Sequence, residues 1–549
     1  MSTTNKIPKS GQMTLLDYMD EKEIPGGLSQ DRKSHKITLN KKALHVLKKY
    51  TKEDYLADLD ELGIEKTWDR ICSYVMQYGD NSGFLQIDRF GEMYEIALAL
   101  IDKEGKKRSG QYYTPEDVTA LMNRWFMQIP GENVCDVGCG TGCLILKYLE
   151  LIGEKKALEM ILGGHLYLYE SDPLALRICH CAIRARYEIE DEGVIHCILG
   201  DFLSSKIHLP QDAKVIINPP YAAIKGNTDE WEKTAVYKES MELYAVFMEK
   251  IFKEAHSAVI ITPFSFVSGT KFYQLRKCMC EQGSGFIVSF DNVPGNIFCG
   301  RKHGIFNSNT ANSGRAAITV FRKGRKKGYR VSPLIRFKNE ERENLLKPRV
   351  LESILPKNYQ TVNEEKTRFA KVSMQMEGIY DTWMQYSQKT IADLALTGEG
   401  EYRLEIPNTC RYFTTASAGK LKRAGSIVLH AKDKDSYDFL YCFANSSFLY
   451  WWWRIYDGAI TYSLKLLLSV PLPYDALTAQ DRVFFEETRS EMEQKERDYI
   501  IKKKNAGEVQ ENVKFPELYR KKINERILQI LKREEDASVL ETIHQNHFF

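Results

Sequence analysis

The chain has 549 residues, 43% hydrophobic and 28% charged, which is too long for one ordinary core, so at least two domains are expected. No apolar run is long enough to span a bilayer and the amino-terminal MSTTNKIPKSGQ lacks the apolar stretch of a signal peptide, so a cytoplasmic protein is expected. A formal charge of +3 gives no argument for nucleic acid from the total, and the 12 cysteines form no disulfide or zinc pattern, so no metal is expected.

Residues 1–35 are polar and broken by Pro8, Pro25, Gly26 and Gly27, which predicts a disordered tail. Inside it, Gln12-Met13-Thr14-Leu15-Leu16 resembles the pentapeptide that docks bacterial replication and repair proteins on the sliding clamp. The other reading is a short turn packing on its own domain. Residues 36–109 carry apolar side chains at helical intervals, among them Leu44, Leu47, Leu59, Trp68, Ile71 and Val75, and predict a helical region. Gly110-Gln111-Tyr112-Tyr113-Thr114-Pro115 follows as a glycine hinge, two aromatics and a Thr-Pro step that opens a helix at Glu116. The two rings either pack or cover a flat cofactor.

The spacing then predicts a strand over 133–137, ending in Asp136 and Val137, with Gly138-Cys139-Gly140-Thr141-Gly142 leading into a helix from Cys143. This is a nucleotide-binding type of βα unit. It lacks both the dinucleotide fingerprint and a Walker lysine, and the Asp136 charge suits a cationic or amino-acid ligand better than a pyrophosphate. A second strand ends in Glu170, the usual place for an acid that holds ribose hydroxyls. A third ends in Gly200-Asp201-Phe202, an acid that can accept from an exocyclic amine beside a ring that can stack. The fourth, apolar through Val215, Ile216 and Ile217, stops hard at Asn218-Pro219-Pro220-Tyr221, because proline gives no backbone donor and pushes its predecessor toward extended geometry. One amide, carbonyls without competing N–H groups and one ring suit the grip of a planar –NH2 group on a heterocycle.

DVGCGTG, the acid of YESDP, GDF and NPPY, preceded by GQYYTP, resemble in identity and order the motifs of γ-class DNA N6-adenine methyltransferases of type I, type IIG and related restriction-modification systems. The resemblance covers residues 85–330 well. It implies an α/β fold: a seven-stranded Rossmann-like sheet, with strands five to seven over 258–262, 286–290 and 316–322, an N-terminal helical region and a C-terminal α+β target-recognition domain. It implies S-adenosylmethionine (AdoMet) as cofactor, flanked by Tyr112, Tyr113, Thr114 and Pro115, with Asp136, Gly138 and Gly140 at its amino-acid end, Glu170 at the ribose and Asp201 and Phe202 at the adenine. It places catalysis on Asn218, Pro219, Pro220 and Tyr221, acting on a flipped adenine in double-stranded DNA. Asn in the first motif position points to adenine, since the cytosine-N4 enzymes usually have Ser there. A bacterial or phage enzyme with a separate restriction or specificity subunit would fit the same resemblance.

The expected divisions are a methyltransferase domain over 110–330, a target-recognition domain over 331–475 and a charged helical segment over 476–549. The stretch 292–314, with Arg301, Lys302 and His303, reads as a mobile loop near substrate or as a plain connecting loop. The basic run RKGRKKGYR over 322–330 reads equally as a nucleic-acid patch or a solvated hairpin or linker. Trp451, Trp452 and Trp453 are expected to divide, some packing inward and others meeting a partner or DNA. Two further readings stay open: a protein glutamine methyltransferase, since a carboxamide offers the same –NH2, and a specificity component with an inactive methyltransferase fold. No nuclease-like carboxylate cluster precedes residue 110, so cleavage is not expected.

Overall fold

The computed structural model describes residues 114–221, 233–298, 314–409, 413–458, 461–505 and 508–544, together with Ala57 and Glu61. The clamp-like peptide, the helical region over 36–109, Tyr112, Tyr113 and the Arg301–His303 loop lie outside the described residues. By its internal contacts the chain divides into two compact units, one formed by residues up to 329 with 337–350 and 361–367, the other by 330–336, 351–360 and 368 onward.

The large sheet is built on strands β1 (Asn133–Val137), β2 (Leu166–Glu170), β3 (Ile195–Leu199), β4 (Ala213–Ile217), β5 (Ser257–Pro263), β6 (Gly283–Phe290), β7 (Ala316–Lys323) and β8 (Gly328–Ile335). Their order in the sheet is β3-β2-β1-β4-β5-β7-β6-β8. β1 to β5 run parallel, and β7 lies antiparallel between β5 and β6. All five residues of β4 are buried, the mark of a parallel strand covered on both faces, which is why this segment reads as a continuous apolar run. β1 pairs with β2 on one side and β4 on the other, with Val137 level with both Tyr169 and Ile217. The chain order reverses at this point, so the turn after β1 and the loop after β4 open side by side at the carboxyl edge, where such sheets bind ligands.

The seven expected strands are present with ends shifted by up to three residues, and β8 adds an eighth that the sequence reading gave to the next domain. This eighth strand contains Pro333. An outermost strand tolerates proline, because its free side needs no donor. Arg322 pairs with Ser257 at the amino edge of β5, so the exposed basic residues 322–327 lie at the sheet edge opposite to the Asn218 loop.

In the second unit the helix Ser447–Tyr456 is central. Trp451, Trp452 and Trp453 are only 1%, 7% and 1% exposed, so the expectation that some would face a partner is corrected. The helix is covered on every side: Trp383 stacks on Trp451 at 5.6 Å and meets Trp452 edge-on at 5.5 Å, while Tyr450 stacks on His544 at 5.3 Å. The stretch after 476 is not wholly helical, since Ile500–Asn505 and Glu508–Val513 pair as an antiparallel ribbon. No helix among the described residues is long and apolar enough to cross a membrane.

Candidate functional site

The turn after β1 is shaped by glycine at the positions that need it. Gly138 and Gly140 have φ of 68° and 54°, left-handed values that cost other residues about 1–2 kcal/mol. Among the described residues a Cβ on either would meet nothing within 4 Å, so the backbone there leaves room for a ligand. Gly142 serves packing instead: its Cβ would come within 2.8 Å of the Cys179 sulfur.

Asp136, one residue before the end of β1, is fully buried. Its Oδ2 accepts from the Ile145 N–H at 3.1 Å, while Oδ1 has no partner among the described residues. Loss of water pushes its carboxyl up to about 8; the Ile145 N–H opposes the shift and the Glu170 charge adds to it. Glu170, at the end of β2, is held by donors from two loops. Its Oε2 accepts from Gly140 N at 2.8 Å, and its Oε1 from the backbone of Ser171 and Asp172 at 2.8 and 3.0 Å. Asp201 is exposed, with Oδ1 accepting from Leu203 N at 2.9 Å. The Phe202 ring is buried against Phe247 and Tyr169, both at 5.6 Å, with the Lys250 ammonium 4.9 Å from its centre.

Beyond β4, the Asn218 Nδ2 donates to Thr114 Oγ1 at 2.9 Å. Tyr221 OH lies 2.5 Å from Asn218 Oδ1 and 3.2 Å from the Ile261 carbonyl. Pro219 is buried and Pro220 half-buried. Thr114 is itself fixed, because its carbonyl accepts from Thr119 Oγ1 at 3.3 Å and from Cys143 Sγ at 3.6 Å. Pro115 caps the helix Glu116–Phe126, and Cys143 begins the helix after the glycine turn. Thr114, the glycine turn and the Asn218 loop, far apart in sequence, are therefore joined through side-chain hydrogen bonds.

Three contributors were not read from the sequence. Phe298 and Tyr244 set their rings 6.0 and 6.3 Å from that of Tyr221; an aromatic just after Gly295-Asn296-Ile297 was the available signal for the first. Arg342 is 1% exposed and grips the Asp117 carboxylate through Nε and Nη2. It also donates to the Asn296 carbonyl at 2.8 Å and the Ile297 carbonyl at 2.6 Å. It thus ties the helix opened by Thr114 and Pro115 to the segment that carries Phe298.

The sequence profile of the family described as N-6 DNA Methylase matches residues 85–380. Among curated relatives, the type I restriction enzyme MpnII methylase subunit of Mycoplasma pneumoniae is 22% identical over 311 residues, 52% of this chain and 53% of that protein. The type II methyltransferase M.PstI of Providencia stuartii is 28% identical over 212 residues, 35% of this chain and 40% of that protein. The chain thus spans about half or less of the length of these relatives. Among solved structures, the type ISP restriction-modification enzyme LlaBIII bound to DNA is 13% identical with a TM-score of 0.42, covering 68% of this chain and 29% of that one. A match that takes in more than half of the 549 residues, and that contains the glycine turn and the Asn218 loop, places the chain in the N-6 DNA methylase family.

Proposed function

We propose that the chain transfers the methyl group of AdoMet to N6 of an adenine flipped out of duplex DNA at a specific sequence. The observation that carries the reading is the pairing of Asn218 with Thr114: Nδ2 donates at 2.9 Å, which orients the amide with Oδ1 as the acceptor met by the Tyr221 hydroxyl at 2.5 Å. An incoming –NH2 group competes for that oxygen. Its second hydrogen goes to the Pro219 carbonyl, and the two acceptors draw the nitrogen lone pair out of ring conjugation. The Tyr221 ring supplies a stacking face for the base, worth about 1–3 kcal/mol. A base in a duplex hides its exocyclic nitrogen, so flipping is required. Positioning supplies most of the rate gain, and the N6 proton leaves to water once the nitrogen has become acidic.

AdoMet supplies an electrophilic methyl group. The chain fits it on two observations: the room beside Gly138 and Gly140, and the buried Asp136 Oδ1 with no partner among the described residues, a ready acceptor for an ammonium group. Asp136, Gly138 and Gly140 would hold the amino-acid end. Glu170 would exchange backbone donors for ribose hydroxyls, Asp201 and Phe202 would border the adenine, and Tyr112, Tyr113, Thr114 and Pro115 would flank the cofactor. Residues 331–475 would select the DNA sequence, a separate restriction or specificity subunit would complete a restriction-modification system, and Gln12 to Leu16 would dock on a sliding clamp. The glutamine and inactive-component readings gain nothing from the family match.

The test is expression in a host without adenine methylation, followed by sequencing of modified bases. N6-methyladenine at one motif, lost with Asn218→Ala, is expected. Soluble, AdoMet-binding protein that leaves adenine unmodified would overturn the proposal.

A further inference from the structure

We infer that the ribbon formed by Ile500–Asn505 and Glu508–Val513, together with the neighbouring segment that carries Lys420 and Lys422, is an arm that enters a groove of duplex DNA with its lysines on the flanking phosphates. The inference rests on the DNA reading above and extends the contact surface beyond the 331–475 stretch to which sequence selection was given.

A lone hairpin is marginal in water, and this one is held at its base. Val513 is fully buried, Lys514 N donates to the Tyr499 carbonyl at 2.9 Å, and Thr415 Oγ1 donates to Asn512 Oδ1 at 3.2 Å. Glu511 N donates to the Lys422 carbonyl at 2.7 Å, and Lys422 N returns a bond to the Glu511 carboxylate at 3.2 Å. The Lys420–Lys422 segment is itself pinned by buried acids. Glu496 accepts from Ala418 N and Gly419 N at 2.8 and 3.0 Å, and Glu405 pairs with Arg423. Along the ribbon Ile501 is 39% exposed and Val509 45%.

The charge on this rigid element is one-sided. Lys420, Lys422, Lys502, Lys503, Lys504 and Lys514 are all exposed, against Glu508 and Glu511, and Glu511 is already engaged with Lys502 at 3.5 Å. The register places Lys502 opposite Glu511 and Lys503 opposite Gln510, so alternation sends Lys502 and Lys504 to one face and Lys503 to the other. A ribbon lying flat on a partner needs cations on one face only. A ribbon set between the two phosphate walls of a major groove, whose width admits two strands, uses both.

The experiment uses the full chain and a duplex containing the methylated motif, with affinity measured by fluorescence anisotropy across a salt series. Each lost phosphate contact lowers the slope of log K against log salt by about 0.9. Lys420→Gln/Lys422→Gln/Lys503→Gln/Lys504→Gln is expected to make that slope shallower by about 2 to 4, with AdoMet affinity and unfolding temperature unchanged. The matching four-arginine variant keeps the charge and is expected to restore the slope. Lys155→Gln/Lys156→Gln, exposed lysines of the first unit, serve as the control and should leave it in place. A wild-type chain that binds the duplex with a slope shared by the glutamine variant overturns the arm alone. A wild-type chain that neither methylates nor binds duplex DNA overturns the DNA reading, and the arm with it.

Discussion

Replacing Asp136 by Asn should change how stability responds to pH in a way no surface carboxyl could imitate. The carboxyl is fully buried and raised from 3.8 to about 8, so between those limits the folded chain keeps a proton that the unfolded chain has released. Stability from this group is therefore greatest below about pH 4, falls as pH rises toward 8 and is level above it. The slope is about 1.4 kcal/mol per pH unit, hence on the order of 4 kcal/mol between about pH 5 and 8. Asparagine mimics the protonated form: its carbonyl can accept from Ile145 N, and its NH2 takes the place of the unpartnered Oδ1. Urea unfolding of wild type and Asp136→Asn across this range should give difference curves that climb with pH in favour of the variant and flatten near 8. Calorimetry on the same proteins should show AdoMet affinity at least about tenfold weaker in the variant, about 1.4 kcal/mol, because the carboxyl can give up its proton to pair with an ammonium and the amide cannot. Parallel stability curves would refute the buried-carboxyl argument, and unchanged affinity would remove Asp136 from the cofactor site.

Asn218→Ala should cost at least about 100-fold in methyl transfer while AdoMet binding survives, and Tyr221→Phe should keep most of the activity that Tyr221→Ala loses; full activity of Asn218→Ala with radiolabelled cofactor would refute the acceptor role. Gly138→Val should lose AdoMet in calorimetry without unfolding, because its side chain takes up the room left for the ligand at a φ of 68°; an affinity equal to wild type would leave the turn structural. Arg342→Ala strips two backbone carbonyls and Asp117 of their donors, a loss of about 3 kcal/mol or more; it should lower kcat more than it changes AdoMet affinity, with partial rescue by Arg342→Lys.

What could be read from the sequence is what is contiguous. The glycine turn and the Asn218 loop each concentrate a strand end, a forced backbone shape and polar groups within a few residues, and parallel pairing of β1 with β4 then sets them side by side. The Arg342–Asp117 clamp joins positions 225 residues apart, and each partner alone looks like an ordinary surface charge. Phe202 illustrates another limit: a ring at a strand end was expected beside the cofactor, and packing also claims it for the core with Phe247 and Tyr169. The tryptophan helix carried a signal that was read the wrong way. A helix apolar all round is a buried one, and Trp383 and His544 cover opposite sides of it. The lysines over 502–504 masked an antiparallel pair of strands, for which the sequence offered only Gly507 between two short runs.

The same packing decides where the chain can be cut. Sequence composition set a boundary at 475, but Phe485, Met492, Ile523, Ile527 and Leu528 are almost wholly buried in one core with Phe439, Phe443 and the tryptophan helix, and Phe485 meets Phe439 edge-on at 5.0 Å. Removing five such side chains forfeits about 8 to 15 kcal/mol at about 1.5–3 kcal/mol each, as much as the whole stability of an ordinary domain. A chain ending at 475 should therefore lose the folded second unit and with it any preference for a DNA sequence. It should still bind AdoMet, since Arg342 and the other parts of the first unit precede the cut. A chain ending near 328 is a harsher test, because it also removes Arg342 and most of β8. Calorimetry for AdoMet, tryptophan fluorescence for the second unit and modified-base sequencing separate the cases. Retention of the full-length motif preference by the chain ending at 475 would refute the single shared core as the basis of specificity.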